Sequence, residues 1–174
     1  VHEYGGGDWW SAGDRIWYVE WSDQRIYTLR LGDDAAPSAI TADSSPPRSV
    51  RWADGDVHPD RQWIAAVRET LDGDEATDVR NEIVAIGATG GEPQVLVSGA
   101  DFVASPRWSP DGTRLAWVQW SHPDMPWDGT ELCVAAATVS DGSITLGDRL
   151  VVAGRPDLPP GGTGSGESIN EPRW

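Results

Sequence analysis

Short apolar runs separated by turn residues dominate the chain, and no apolar 3.6-residue period is sustained over ten or more residues. The pattern therefore predicts strands and almost no helix. In the best-defined stretch, Val103 to Ser109 ends at Pro110-Asp111-Gly112, where proline presets φ and glycine accepts a positive one. Arg114 to Gln119 follows as an apolar strand. Glu131 to Thr138 gives a third, Asp141-Gly142 a further turn, and Arg149 to Ala153 a fourth. The same order runs through Ser49 to Ala53, Trp63 to Glu69, Asn81 to Ile86 and Gln94 to Val97, and earlier through Arg15 to Trp21, Arg25 to Leu31 and Ser38 to Ala42. The polar or Pro/Gly-rich segments Leu71 to Arg80, Ser121 to Thr130 and Arg155 to Glu167 read as rim loops.

These runs are copies of one unit. His58-Pro59-Asp60-Arg61-Gln62-Trp63-Ile64-Ala65-Ala66-Val67 aligns without gaps on Ser109-Pro110-Asp111-Gly112-Thr113-Arg114-Leu115-Ala116-Trp117-Val118, 51 residues on. Gly13 to Val19 repeats the second half of that block, and Glu171-Pro172-Arg173-Trp174 repeats Ser105-Pro106-Arg107-Trp108. A period near 50 residues with several short strands predicts β-propeller blades. The expected fold is all-β: a partial propeller of about three four-stranded antiparallel blades, at 1–47, 48–101 and 102–167, plus the first strand of a fourth at 168–174. Val1 opens the chain and Trp174 closes it inside a repeated motif, so both ends read as cuts.

Composition changes this picture at three points. Eleven tryptophans are an outlier, and their spacing assigns most of them to architecture. Trp52, Trp108 and Trp174 read as one repeated position, and Trp17, Trp63 and Trp117 fall in second strands. The net charge of −15 argues against nucleic acid or an anionic membrane as partner, since both require the opposite sign. All 13 basic residues are arginine, read as the codon bias of a GC-rich genome. Cys133 is the only cysteine, so no intrachain disulfide forms and a buried thiol is expected. With no membrane-spanning run and no secretory signal, a cytoplasmic location is expected.

Four segments carry a family resemblance: Val1-His2-Glu3-Tyr4-Gly5-Gly6-Gly7, Asp23-Gln24-Arg25-Ile26-Tyr27, Ser105 to Gly112, and His122-Pro123-Asp124-Met125-Pro126-Trp127-Asp128-Gly129-Thr130-Glu131-Leu132. In this order they resemble the N-terminal propeller of bacterial acylaminoacyl-peptidase and dipeptidyl-aminopeptidase-like members of the prolyl oligopeptidase family. The resemblance implies a non-catalytic propeller that gates and orients short peptides for a C-terminal α/β-hydrolase domain with a Ser-Asp-His triad, a domain absent from this chain. The Gly162 to Gly166 stretch has Thr163 where a nucleophile elbow needs its first glycine, so the chain alone is read as inactive. The alternative is a TolB-like propeller serving as a protein-interaction module, and its SPDG-type turn is shared with this one.

Candidate chemistry is sparse. His2, His58 and His122 stand apart without zinc spacing, with His58 in a turn slot, and the Asp72 to Asp78 run lacks the glycine and terminal glutamate of a calcium loop. No metal or cofactor is expected. His2, Glu3 and Tyr4 precede three glycines that allow close backbone approach, and the resemblance makes Glu3 a candidate to hold a substrate amino group. Trp127 and Asp128, on a long loop, are candidates for the entrance or the domain interface. The partners expected are the hydrolase domain and short peptides. An open arc would also expose apolar blade faces, so the chain is expected to associate with a second copy.

Overall fold

The computed structural model describes residues 6–73, 78–140, 142–154 and 167–174. Among these there are thirteen strands and no helix, in three antiparallel sheets. The first sheet is β1 (Trp9–Ala12), β2 (Arg15–Val19), β3 (Ile26–Arg30) and β4 (Ser38–Ala39), in chain order. The second is β5 (Val50–Val57), β6 (Trp63–Leu71), β7 (Val79–Gly87) and β8 (Gln94–Val97). The third runs β9 (Phe102–Trp108), β10 (Arg114–Trp120) and β11 (Glu131–Ser140), with β13 (Leu150–Ala153) as its fourth strand. Four-stranded meanders whose first strands β1, β5 and β9 lie side by side are blades of a partial propeller.

The apolar runs split between two cores by strict alternation. Ile64 and Ala66 of β6, with Val84 and Ile86 of β7, face the first blade. Their neighbours Ala65, Val67, Ile83 and Ala85 face the third. A sheet buried on both faces needs apolar residues at successive positions, which is why these strands read as continuous runs. Tryptophans fill the space between blades. Trp10, Trp17 and Trp52 sit in the first core, Trp108 and Trp117 in the second.

Several expectations are corrected. The strand at Trp9–Ala12 was not foreseen, because Trp-Trp-Ser-Ala shows no clear alternation. The turn at Gly142 leads into β12 (Ser143–Leu146), a hairpin extension of β11, and only then does the chain reach the blade's last strand. The hairpin of the second blade extends to Leu71 and Val79, shortening its loop. Residues 168–174 form no strand. This segment instead lies along the third blade, where the Trp174 indole donates to the Arg107 carbonyl at 3.0 Å.

The tryptophan register also changes. Val57 pairs Ile64 as Trp108 pairs Leu115, and Ala53 pairs Val67 as Ala104 pairs Val118. The 51-residue offset therefore holds through the inner strands, making Val57 the counterpart of Trp108 and Val103 that of Trp52. Both inner strands carry a bulge at the same place, holding Asp54 (φ 59°) and Ser105 (φ 51°).

Gly55, beside that bulge, is required by packing. A Cβ there would stand 2.2 to 2.5 Å from three atoms of the buried Trp10 ring. Gly55→Ala is expected to destabilise the chain by about 2 kcal/mol, since the indole must leave its rotamer or the strand must move. Urea unfolding measures this, and a loss below about 0.5 kcal/mol would show that the ring adapts freely.

The turn after β9 behaves as read, with an added constraint. Gly112 has φ 72°, and its carbonyl accepts a hydrogen bond from His58 Nε2 at 3.1 Å. His58 thus ties the second blade's turn to the third's. Asp111 collects Ser109 Oγ at 2.6 Å and both the amide and hydroxyl of Thr113, and these bonds lower its carboxyl to about 2, the Ser109 bond most. A carboxyl depressed by folding adds stability that is present above its unfolded range near 4 and is lost as pH falls through about 2. The stability difference between the native chain and Asp111→Asn is expected to stay constant from pH 7 to about 4, then close toward pH 2. A difference independent of pH would show that the carboxylate is not what matters.

Candidate functional site

Residues of β5, β9 and β10, with segments outside the strands, line a cleft of about 490 Å³. Its lining comes from distant parts of the sequence: Gly6 and Gly7, Asp54, Ser105 and Arg107, Trp120, Pro126, and Glu171 with Arg173. Three of the four segments that carry the family resemblance contribute to it. The Glu171-Pro172-Arg173-Trp174 copy contributes as well.

Asp54 organises the cleft. It is 7% exposed and held at positive φ, a backbone state that costs an ordinary residue energy and needs support from its surroundings. Its own amide donates to the Gly7 carbonyl at 2.7 Å, joining the first blade to the second. Its carboxylate accepts the Ser105 amide at 2.7 Å and Arg107 Nη2 at 3.3 Å, joining the second blade to the third. Two residues on, Asp56 accepts the Trp108 amide at 2.7 Å. Burial raises the Asp56 carboxyl, against the opposing pull of that bond and of Arg107 and Arg173. Gly6 shows why glycine precedes the first strand. Its φ is 102°, and a Cβ would lie 3.3 Å from the side chains of Ala53 and Asp54.

His2, Glu3 and Tyr4 lie outside the described residues, as do most of the acidic run at 74–77 and the Gly162 to Gly166 stretch. Trp127 stands on the rim, 68% exposed. Asp128 has a structural part: its Oδ2 accepts the Met125 amide at 3.0 Å and its amide donates to the Met125 carbonyl, which closes the turn. Only Pro126 of this loop reaches the cleft. Thr130, which sequence reasoning passed over, does more. It is buried, its amide donates to the Glu167 carbonyl, and its hydroxyl exchanges hydrogen bonds with Ile169 at 2.7 and 3.0 Å. That clasp sets the path of the chain towards Glu171 and Arg173.

No group of three or more His, Cys, Asp or Glu able to hold a metal ion occurs among the described residues. Cys133 is buried in the second core, and burial pushes its thiol up to about 11. Less than about 1% of it is thiolate at pH 8, so alkylation is expected only after unfolding. Rapid iodoacetamide labelling of the native chain would contradict this.

No protein-family model and no curated protein matches the chain. Among solved structures it is similar to a puromycin-hydrolyzing peptidase of Mycobacterium tuberculosis, with 38% identity and a TM-score of 0.74 over 88% of this chain. A puromycin hydrolase structure matches at 30% identity and a TM-score of 0.76 over 90% of it. A TolB structure from Agrobacterium tumefaciens, at 17% identity, a TM-score of 0.52 and coverage of 80% of this chain and 47% of that one, shares the fold alone. The chain spans about 25% of the length of each peptidase. With the blades and these likenesses in view, the chain belongs to the prolyl oligopeptidase family, as a stretch of its β-propeller.

Proposed function

We propose that this chain is the non-catalytic propeller portion of a serine peptidase, which admits and orients short peptides or aminoacyl amides such as puromycin for a C-terminal Ser-Asp-His hydrolase domain. The observation that carries the reading is the 38% identity to a puromycin-hydrolyzing peptidase over 88% of the chain. The cleft supports it, because resemblance-bearing segments far apart in sequence converge there. Acylaminoacyl- and dipeptidyl-aminopeptidase activities belong to the same proposal, as does a cytoplasmic location.

The exposed faces of the outer blades fit this role. Leu150 and Val152 on the third blade and Trp9 on the first are exposed apolar residues of the kind that pack between blades. In the whole protein they would meet further blades. The isolated chain is expected to pair through them, and a strict monomer by sedimentation at micromolar concentration would exclude that pairing.

The deciding experiment compares this chain with the product of its full gene on puromycin and chromogenic peptides. The full product is expected to cleave them and the chain alone to be inert. A gene encoding no Gly-x-Ser-x-Gly with a following Asp and His, or a full product without hydrolysis, would overturn the proposal.

A further inference from the structure

The blades can be compared rung by rung. Arg68 pairs Glu82 across β6 and β7 as Gln119 pairs Glu131 across β10 and β11, and the next rungs, Ala66 with Val84 and Trp117 with Cys133, match as well. Alternation turns both pairs towards the preceding blade, beside Ile64 and Ala66 in one case and Leu115 and Trp117 in the other. In the second blade the acid is neutralised at contact: Glu82 Oε2 accepts Nε and Nη2 of Arg68 at 3.1 and 2.5 Å, with both side chains at least four-fifths buried. Arg80 stands further off, 3.5 Å from Oε1, and is held chiefly by Asp72. The third blade keeps the acid and puts a shorter, neutral glutamine in the arginine's place.

Gln119 and Glu131 line a second cleft, of about 610 Å³, between the second and third blades. Its lining includes neither inner strand, β5 or β9, and it lies between two blades of this chain, not on an open outer face. Glu131 is about five-sixths buried there. Its Oε2 accepts Gln119 Nε2 at 2.9 Å and faces the Cys133 thiol at 4.0 Å, and the Trp117 indole donates to Gln119 Oε1 at 3.0 Å, which fixes the amide. Arg149, half exposed, comes only within 3.7 Å of the same oxygen. Among the described residues nothing donates to Oε1. A carboxylate withdrawn from water with one oxygen unbonded favours an incoming donor, and a charged donor most. Around it, Ser98 and Ser121 add hydroxyls while Leu96, Val97 and Leu146 add apolar surface. That combination matches an arginine side chain, whose methylene stem packs on apolar groups and whose planar head is a fork of donors.

We propose that this outer cleft binds the side chain of an arginine residue carried by another polypeptide. Its guanidinium bonds Glu131 Oε1, in the role that Arg68 plays towards Glu82 one seam earlier, and its stem lies along the apolar flank. The chain's net charge of −15 favours the approach of such a cation. This binding does not depend on the peptidase reading.

The test titrates N-acetylarginine amide into the isotope-labelled chain and follows it by NMR. The ligand is expected to shift the Trp117 indole, the Gln119 side-chain amide, Gly99 and Gly147, and to bind about 10-fold more tightly than its uncharged citrulline analogue. Methylguanidinium, the head without the stem, is expected to bind about 10-fold more weakly than the arginine amide. Glu131→Gln is expected to abolish the preference for arginine over citrulline. Gln119→Arg supplies a guanidinium from within the chain and is expected to abolish binding although the spectrum stays that of a folded protein. Arg149→Gln is expected to keep binding. Equal binding of the arginine and citrulline amides, equal binding of methylguanidinium, shifts clustered elsewhere, loss of binding in Arg149→Gln, or undiminished binding in Gln119→Arg would overturn the proposal. No hydrolysis enters this test, so the peptidase reading stands or falls separately.

Discussion

Trp17→Ala is expected to cost about 3 to 5 kcal/mol, a large part of the stability of a domain this size. Trp17 is 1% exposed and fills the first core between Ile26, Ile64 and Ile86. Its indole Nε1 also donates to the Ala88 carbonyl at 2.9 Å, across 71 residues of sequence. Truncation removes a large ring, leaves a cavity between two blades and strips a buried carbonyl of its donor. The last of these adds to the packing loss, because an unpaired buried carbonyl costs more than a bond exchanged with water. Urea unfolding with an unchanged slope measures the loss. Trp17→Phe keeps most of the volume and is expected to fall between, which keeps the comparison measurable if the alanine variant does not fold. Trp127→Ala, at a rim position, is expected to change stability by less than about 0.5 kcal/mol. Equal losses at Trp17 and Trp127 would defeat the division of the tryptophans into architectural and exposed ones.

That division was only partly legible in the sequence. The gapless match of His58–Val67 to Ser109–Val118 fixed the blades, because strand length and turn chemistry repeat together in this stretch. Aligning tryptophans by identity misled the reading of Trp52, whose counterpart is Val103. What repeats is burial against the preceding blade, and a branched aliphatic side chain fills that site as well as an indole does. β12 escaped notice because an Asp-Gly turn looks the same whether it ends a blade strand or extends a hairpin beyond the sheet.

The cleft was less legible still. Asp54 is one of 28 acidic residues, and nothing in its immediate neighbours separates it from the solvated ones. The signal lay in the repeat: carried back from Ser105, the 51-residue offset lands on Asp54, and carried forward by the Pro-Arg-Trp match it lands on Glu171. The positive φ of Asp54 and Ser105 belongs to the inner-strand bulge, which a change from Asp to Ser does not announce, and Glu171 shares it outside any strand. His2, Glu3 and Tyr4 remain candidates by resemblance, next in sequence to the glycines that line the cleft.

Asp54→Ala is the second large effect, expected at about 2 to 4 kcal/mol, and its origin differs from that of Trp17. The carboxylate is nearly buried and engages both Ser105 and Arg107, so removing it leaves an amide without its acceptor and a largely buried guanidinium without its counter-charge. The positive φ that Asp54 adopts is less readily held by alanine, which adds to the loss. Asp54→Asn retains the shape and φ tolerance but loses the charge. It is expected to recover part of the stability, and the difference between the two variants isolates the backbone contribution from the electrostatic one. Location is the more telling readout. If the clamp joins the second blade to the third, hydrogen exchange at Ser105 is expected to accelerate in Asp54→Ala, while Trp108, whose amide is held by Asp56, and Leu115 to Val118, paired within their own blade, keep their protection relative to global stability. A uniform loss across the third blade would mean that Asp54 supports the fold generally and does not join these two blades. A double-mutant cycle with Arg107→Ala should return a coupling of about 1 kcal/mol or more, since the groups touch and share Asp54 as a hub.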